Sequence, residues 1–402
     1  MKKTLLIIIA ILMMVPTARA QYSGECGDNL TWIFDDNTGT LTISGTGDMW
    51  DSPSFGNLKI TAVIIQEGVT SIGAYAFGYK PYLSSVSIPN TVVSIGDNAF
   101  IKCDYLKSIT IPNSVTTIGM LAFCRTGIES LTLGNSVSSI GIDAFANCPL
   151  KSVVIPNSLK TISEGVFSHC FSLESVDFGD SLVSIDQGAF SMCTALTTLD
   201  FPNTLRSIGK SAFWNCNSLQ SVNFSESLES IGEGAFVLCI SLNSIKFPNS
   251  LSLIEESAFG SISNIREVYC MAITPPNCVS DNTFDNNVYM SAPLYVPIGC
   301  KSLYENASSW KKFNNIVETG ELIDENLEEN FSVFPNPSSD FINISCDNMK
   351  SLEIVSMTGK SVMKTSVSTD EINIDISGLT SGIYIVIITT EQGCFTKEIV
   401  KR

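Results

Sequence analysis

The chain repeats itself. A phenylalanine preceded by alanine (once by valine) recurs at Phe77, Phe100, Phe123, Phe145, Phe167, Phe190, Phe213, Phe236 and Phe259, in steps of 23 or 22 residues throughout. A fixed period of this length points to a quasi-one-dimensional fold in which each unit packs on the unit before and after it. One unit, 83–105, carries Leu83, Val86, Ile88, Pro89, Val92, Ile95, Gly96, Ala99, Phe100 and Cys103. The next repeats it with Leu106, Ile109, Ile111, Pro112, Val115, Ile118, Gly119, Ala122 and Phe123. Nine such units run from Ile60 to about Asn264.

Each unit can be read physically. Val86 and Ile88 alternate with Ser85 and Ser87, which predicts a short strand with its serines outward. Pro89-Asn90 ends the strand, because proline cannot donate to a continuing ladder and asparagine suits a turn. Ile95-Gly96 opens a second inward stretch, and Ala99-Phe100-x-x-Cys103 predicts a short helical turn that closes the coil. A lone unit leaves both broad faces wet, so stacking is compulsory. Nine rungs paired at about 4.8 Å make a stack roughly 40 Å long. Its ends need covers. Residues 21–59 read as an N-terminal cap, with Leu30-Thr-Trp-Ile33 and Leu41-Thr-Ile43 pairing around Asp35–Gly39 as a hairpin. Residues 265–316, where Pro275-Pro276, Trp310 and Phe313 break the period, read as the C-terminal cap.

The pattern Leu-x-x-Val-x-Ile-Pro-x-x-Val-x-x-Ile-Gly-x-x-Ala-Phe-x-x-Cys resembles the BspA-like, treponemal class of leucine-rich repeats. The resemblance covers about residues 22–316 and includes the entry from Cys26-Gly27 to Gly45-Thr-Gly47. Thr126 departs from it at the repeat cysteine, as do Lys80 and Ile262 in the end units. It implies a surface protein that adheres to host components or other microbes, and it implies no particular ligand. The expected fold is a β-rich leucine-rich-repeat solenoid, nine repeats of 22–23 residues with end caps over 60–264, followed by a small antiparallel Ig-like β-sandwich.

Residues 1–20 read as a signal peptide, with Lys2 and Lys3, an apolar Leu5–Val15 and a small-x-small Ala18-Arg19-Ala20. No other run is apolar over the roughly 20 residues that a membrane-spanning helix needs. Losing Lys2, Lys3 and Arg19 takes the formal charge from −17 to −20. No basic stripe exists to neutralise phosphates, which argues against nucleic acid as a partner. Composition shifts after Val317, and 317–330 reads as an acidic linker, with six acidic and no basic residues from Glu318 to Asn330. Residues 331–402 alternate in short runs such as Ile342-Asn-Ile344 and Ile372-Asn-Ile374-Asp-Ile376, which predicts the sandwich. They resemble the C-terminal sorting domain of the type IX secretion system through Phe334-Pro335-Asn336-Pro337, Met357-Thr358-Gly359-Lys360, Gly378-Leu379-x-x-Gly382-Ile383-Tyr384 and the final Lys397–Arg402. The resemblance implies that Pro335, Asn336, Pro337, Gly359, Gly382, Tyr384 and Lys397 belong to a sorting signal read by the type IX secretion machinery. It also implies passage across the outer membrane, then removal of the domain with attachment to surface lipopolysaccharide, or release. The expected location is the cell surface or the medium.

Thirteen cysteines in an exported chain would ordinarily point to disulfides. Six of them (Cys103, Cys148, Cys170, Cys193, Cys216 and Cys239) share one inward repeat position, which favours a buried, reduced ladder over disulfides or metal. The paired spacings of thiolate metal sites are absent. Cys270, Cys278 and Cys300 lie off the repeat, where the sequence leaves open either one bridge or free thiols. His169 is the only histidine. A Cys170–His169 dyad is the sharpest enzymatic reading, but adjacent residues in a coil point different ways. With no nucleophile elbow, phosphate loop or His-Glu-x-x-His, the reading is a non-enzyme without cofactor, metal or catalytic residues. The strand's outward positions remain. The first is uniformly hydroxylic (Ser85, Ser108, Ser130, Ser152, Ser175, Thr198, Ser221, Ser244) and reads as a structural ladder. The second varies: Ser87, Thr110, Thr132, Val154, Asp177, Asp200, Asn223, Lys246. Asp177, Asp200, Asn223 and Lys246 form the candidate ligand-binding patch, for a protein or glycan of host or other microbes. The competing readings are a merely solvated face on a structural surface or biofilm scaffold without a dedicated ligand, and a hydrolase.

Overall fold

The structure, a computed structural model, describes residues 22–319, 331–356, 360–390 and 394–402. The signal-peptide reading over 1–20, Met357–Gly359 of the sorting motif and residues 320–330 of the linker lie outside them.

Each coil has three walls. The first is the alternating strand, such as Ser108–Thr110, parallel to its neighbours and in register: Ile109 faces Leu131, Val153 faces Val176 and Leu199 faces Val222. The leading hydroxyls stand exposed along this wall, and among the described residues none hydrogen-bonds to the next. The second wall is a two-residue strand, such as Ser94–Ile95, stacked on Thr117–Ile118. Glycine follows it on six of the nine coils, with Ser163, Asp186 and Glu255 on the others, and where it stands the neighbouring backbone is close. A Cβ on Gly96 would lie 2.6 Å from the Ala74 nitrogen.

The third wall corrects the expected helical turn. Two residues per coil, two before and two after the phenylalanine, take left-handed backbone: Asn98 and Lys102 (φ +56° and +57°) around Phe100, Asp143 and Asn147 (+54° and +58°) around Phe145. These bends face the peptide groups outward, toward the neighbouring coils. Asn98, Phe100 and Lys102 donate their N–H groups to Met120, Ala122 and Cys124 of the next coil at 2.7–2.9 Å. A helical turn would direct those bonds within the coil and leave the coils unjoined along this wall. The same three donations recur from coil to coil, always pointing toward the C-terminus. The last, from Ser261, ends on the Asp285 carboxylate at 2.8 Å.

Inside, the repeat phenylalanines form one stacked column with centroids 5.0–5.8 Å apart. It runs from Phe55 to Phe284, one ring beyond the nine at each end. A second column, Phe178, Phe201, Phe224 and Phe247, packs edgewise or tilted against it in the C-terminal half. Each ladder thiol has a defined task. Cys103 donates to the Phe77 carbonyl of the preceding coil at 3.2 Å, Cys170 to Phe145 at 3.4 Å and Cys239 to Phe213 at 3.3 Å. Thr126 takes the cysteine's place in its coil, its hydroxyl 3.2 Å from the Cys148 sulfur.

At the N-terminal end, Leu30–Asp35 and Thr40–Gly45 form the expected hairpin, extended by Tyr22–Gly27, and the hairpin's second strand pairs in parallel with Ala62–Ile65 of the first coil. The other end differs from expectation. Residues 265–316 do not abandon the winding: Glu267–Cys270, Leu294–Pro297 and Ile316–Thr319 add three parallel strands to the first wall. Short helices at Asn286–Ser291 and Lys301–Asn306 lengthen these coils, which is why the period fails while the ladder continues. Val317, Glu318 and Thr319 therefore belong to the solenoid rather than to a linker. No bridge joins Cys270, Cys278 and Cys300. All three thiols are free and buried, as part of the apolar core.

Residues 331–402 form two antiparallel sheets around a separate core. One contains Ser332–Phe334, Phe341–Ser345 and Glu371–Asp375, the other Ser361–Ser366, Ser351–Ser356, Gly382–Thr389 and Cys394–Lys401. This is the anticipated sandwich.

Two measurements test this packing. Gly188 has φ +62° and nothing within 3.7 Å of an added Cβ, so Gly188→Ala should cost about 1–2 kcal/mol from conformation alone. Gly96→Ala must move backbone as well and should cost more in urea denaturation; the reverse order would contradict the account. Burial pushes the thiols of Cys103 and Cys216 up to about 12. At about pH 8 the six ladder cysteines should resist thiol reagents until the chain unfolds, and rapid modification of the native protein would show the ladder to be open.

Candidate functional site

The first wall brings the four candidate residues into one strip. Asp177, Asp200, Asn223 and Lys246 are the outward residues of Ser175–Asp177, Thr198–Asp200, Ser221–Asn223 and Ser244–Phe247, on four successive coils, and all are exposed. The positioning follows from the pleat, since each preceding residue points inward and each following one (Phe178, Phe201, Phe224, Phe247) joins the second phenylalanine column. Asp200 and Asn223 are direct cross-strand partners, and the asparagine amide donates to the carboxylate. The Asp177 carboxylate accepts the Gly179 N–H at 3.0 Å, which fixes its rotamer. Beside Asn223 and Lys246 lies a recess of about 270 Å³, walled by Phe224, Glu226, Phe247 and Met271.

Sequence reasoning missed the strip's continuation. Lys246 faces Tyr269, which faces Tyr295, and the two rings stack at 4.5 Å and 16°. The Tyr269 hydroxyl donates to Glu267 at 3.3 Å. A signal was present, for Tyr269 follows Lys246 by the same 23 residues that separate earlier coils. At the other end the strip meets Val154, which faces Asp177 and is 62% exposed. The surface thus runs from apolar through acidic and amide to cationic and aromatic. It offers hydrogen bonds of both senses and a ring platform.

No dyad is assembled from His169 and Cys170. The histidine lies at a left-handed bend with its ring edge-on to Phe171, while the Cys170 thiol is buried and donates to Phe145. Among the described residues, no group of three or more His, Cys, Asp or Glu side chains could hold a metal ion. Nor is any described helix long and apolar enough to cross a membrane.

Several residues of the proposed sorting signal meet at the final strand. Pro335 and Pro337 follow cis peptide bonds, and Asn336 between them clamps Cys394–Lys401 by donating to the Glu398 carbonyl (2.7 Å) and accepting the Val400 N–H (2.8 Å). The Lys397 ammonium lies 5.7 Å over the Phe331 ring. Tyr384 opposes Ile399 in the sheet and bonds through its hydroxyl to Thr380, while Gly382 opens its strand. Gly359 lies outside the described residues.

Residues 50–174 and 160–291 match the BspA type leucine rich repeat region, with six copies, and residues 332–402 match the secretion system C-terminal sorting domain. No curated protein matches the chain. Among solved structures, a leucine-rich repeat protein from Bacteroides ovatus is 22% identical, covering 73% of this chain and 99% of its own, with a TM-score of 0.40. A leucine rich cell surface protein from Faecalibacterium prausnitzii is 21% identical over 76% of this chain and 96% of its own, with a TM-score of 0.35. The pneumococcal vaccine antigen PcpA is 16% identical over 74% and 98%, with a TM-score of 0.38. With most of the solenoid matched by its repeat, the chain belongs to the BspA-type leucine-rich repeat proteins and carries a secretion-system sorting domain over residues 332–402.

Proposed function

We propose that the chain is an exported, cell-surface binding protein whose ligand, a protein or glycan of a host or another microbe, lies along the outward face of the first wall. The observation that carries this is the strip itself: fixed geometry on four successive coils, varied polar chemistry at one position, and a recess beside it. A solvated face on a passive scaffold needs neither the recess nor the stacked tyrosines. Affinity is spread over many shallow contacts, with Tyr269 and Tyr295 as the aromatic anchors that such interfaces favour. The sorting domain gives the route outward, by way of the type IX secretion machinery, and the domain is then removed. The chain acts by binding and has no catalytic step, cofactor or metal of its own.

Alanine at Asp177, Asp200, Asn223 and Lys246 together, in the full chain, is expected to lower retention on immobilised host matrix or on other bacteria by about tenfold. Unchanged retention with an unchanged circular dichroism spectrum would leave the strip a solvated face. Mass spectrometry of the surface-exposed form should find residues 1–20 and the sorting domain, 331–402, both missing. An intact sorting domain on the displayed protein would refute the export route.

A further inference from the structure

The third wall carries a feature of its own. Its left-handed residues make two rows along the solenoid, and between them lies a trough floored by the residue just after each phenylalanine. On most coils the floor or one side is open: glycine stands in the first row at Gly165, Gly188 and Gly234, and serine or exposed tryptophan on the floor at Ser191 and Trp214. On three coils it is closed. Ile101, Cys124 and Ala146 are buried there and form a small apolar cluster with Leu121, separate from the main core. The recess above them is about 420 Å³, enough for one or two side chains.

Its rim is cationic in a chain of formal charge −17. Lys102 and Arg125 occupy the same place on successive coils, and neither has an ion-pair partner among the described residues. Three other cations on the coils do pair across them, Lys107 with Glu129, Arg206 with Glu229 and Lys210 with Glu233. Lys102 instead lies 5.2 Å over the ring of Tyr79. Farther along the same row, the Nδ1 atom of His169 is buried against the recess with no hydrogen-bond partner. Asp143, on the opposite row, also lines the recess and accepts the Ser168 hydroxyl at 3.4 Å, one carboxylate against the two cations.

Unpaired cations one coil apart and an apolar floor between the rows describe a complementary guest. We propose that this recess binds an extended acidic peptide, with an aliphatic side chain on Ile101, Cys124 and Ala146 and carboxylates on Lys102 and Arg125. The apolar floor spans three coils, roughly the reach of four extended residues at about 3.3 Å each. A sugar acid would satisfy the cations but leave its hydroxyls unpaired against the floor, which costs binding. The site is distinct from the strip on the first wall and stands or falls separately.

The test uses the full chain and a fluorescein-labelled peptide of alternating Glu and Leu. Asparagine tolerates left-handed backbone, so K102N/R125N removes the charge while keeping both bends. The peptide should bind the parent chain and lose about tenfold or more in affinity with the double variant, the scale expected of two partly solvated charge pairs. A second variant, Ala146→Leu, should fill the floor and weaken binding with the cations intact. A Ser–Leu peptide should bind no better than the double variant binds Glu–Leu. No binding of Glu–Leu, equal binding by K102N/R125N, or capture of polygalacturonate in preference to the peptide would each overturn the proposal. None of these results bears on the Asp177–Lys246 strip, whose alanine variant should bind the peptide as the parent does.

Discussion

Every coil is too thin to enclose its own interior. Leu83, Val92, Ile95, Ala99 and Phe100 are almost wholly excluded from solvent, yet the atoms that cover them belong largely to neighbouring coils. The phenylalanine column shows this most plainly, because each ring has another above and below at van der Waals range. Removing one ring opens a gap between two coils rather than within one. The close glycines follow from the same demand, since neighbouring backbones meet where a side chain would otherwise stand. So do the thiols, each of which satisfies a carbonyl that the stacking has buried.

How much of this could be read from the sequence depends on whether a feature repeats in kind or only in shape. The phenylalanine period, the alternating strand, the proline stop and the glycine after Ile95 repeat as residue types, and they led directly to the solenoid. The left-handed bends repeat only as backbone. The places of Asn98 and Lys102 are filled elsewhere by tyrosine, leucine, arginine, histidine and methionine as well as by the asparagine, aspartate and glycine that ordinarily announce such a conformation. With that signal diluted, a helical turn was the natural reading. The C-terminal coils hid for a related reason. Their strands keep the alternation of Glu267–Cys270 and Leu294–Pro297, but inserted helices stretch the spacing and mask it. The second phenylalanine column was legible in principle, since Phe178, Phe201, Phe224 and Phe247 stand where earlier coils have Ile88, Ile111, Leu133 and Ile155.

The candidate strip was legible because the pleat alone fixes which residues face outward. Alternation places Asp177, Asp200, Asn223 and Lys246 on one side without knowledge of tertiary structure, and parallel register then aligns them. The recess next to Lys246 and the Tyr269–Tyr295 stack were not, because they depend on how the last regular coils meet the lengthened ones. The recess on the third wall was still further from view. It needs the left-handed rows for its sides and a local run of apolar residues, Ile101, Cys124 and Ala146, for its floor. Candidate surfaces on this scaffold therefore come in two grades, those set by strand periodicity and those set by the turns between strands.

The one-way hydrogen bonds of the third wall have an electrical consequence. With every N–H of the set pointing toward the C-terminus, the peptide dipoles of that wall add head to tail, as they do along an α-helix but with the sense reversed relative to the chain. The positive pole falls at the C-terminal coils, where the Asp285 carboxylate receives the final N–H. The second wall runs the other way, with Gly96 donating back to Ile72 and Gly119 back to Ile95, so the solenoid carries opposed polarities on two of its faces.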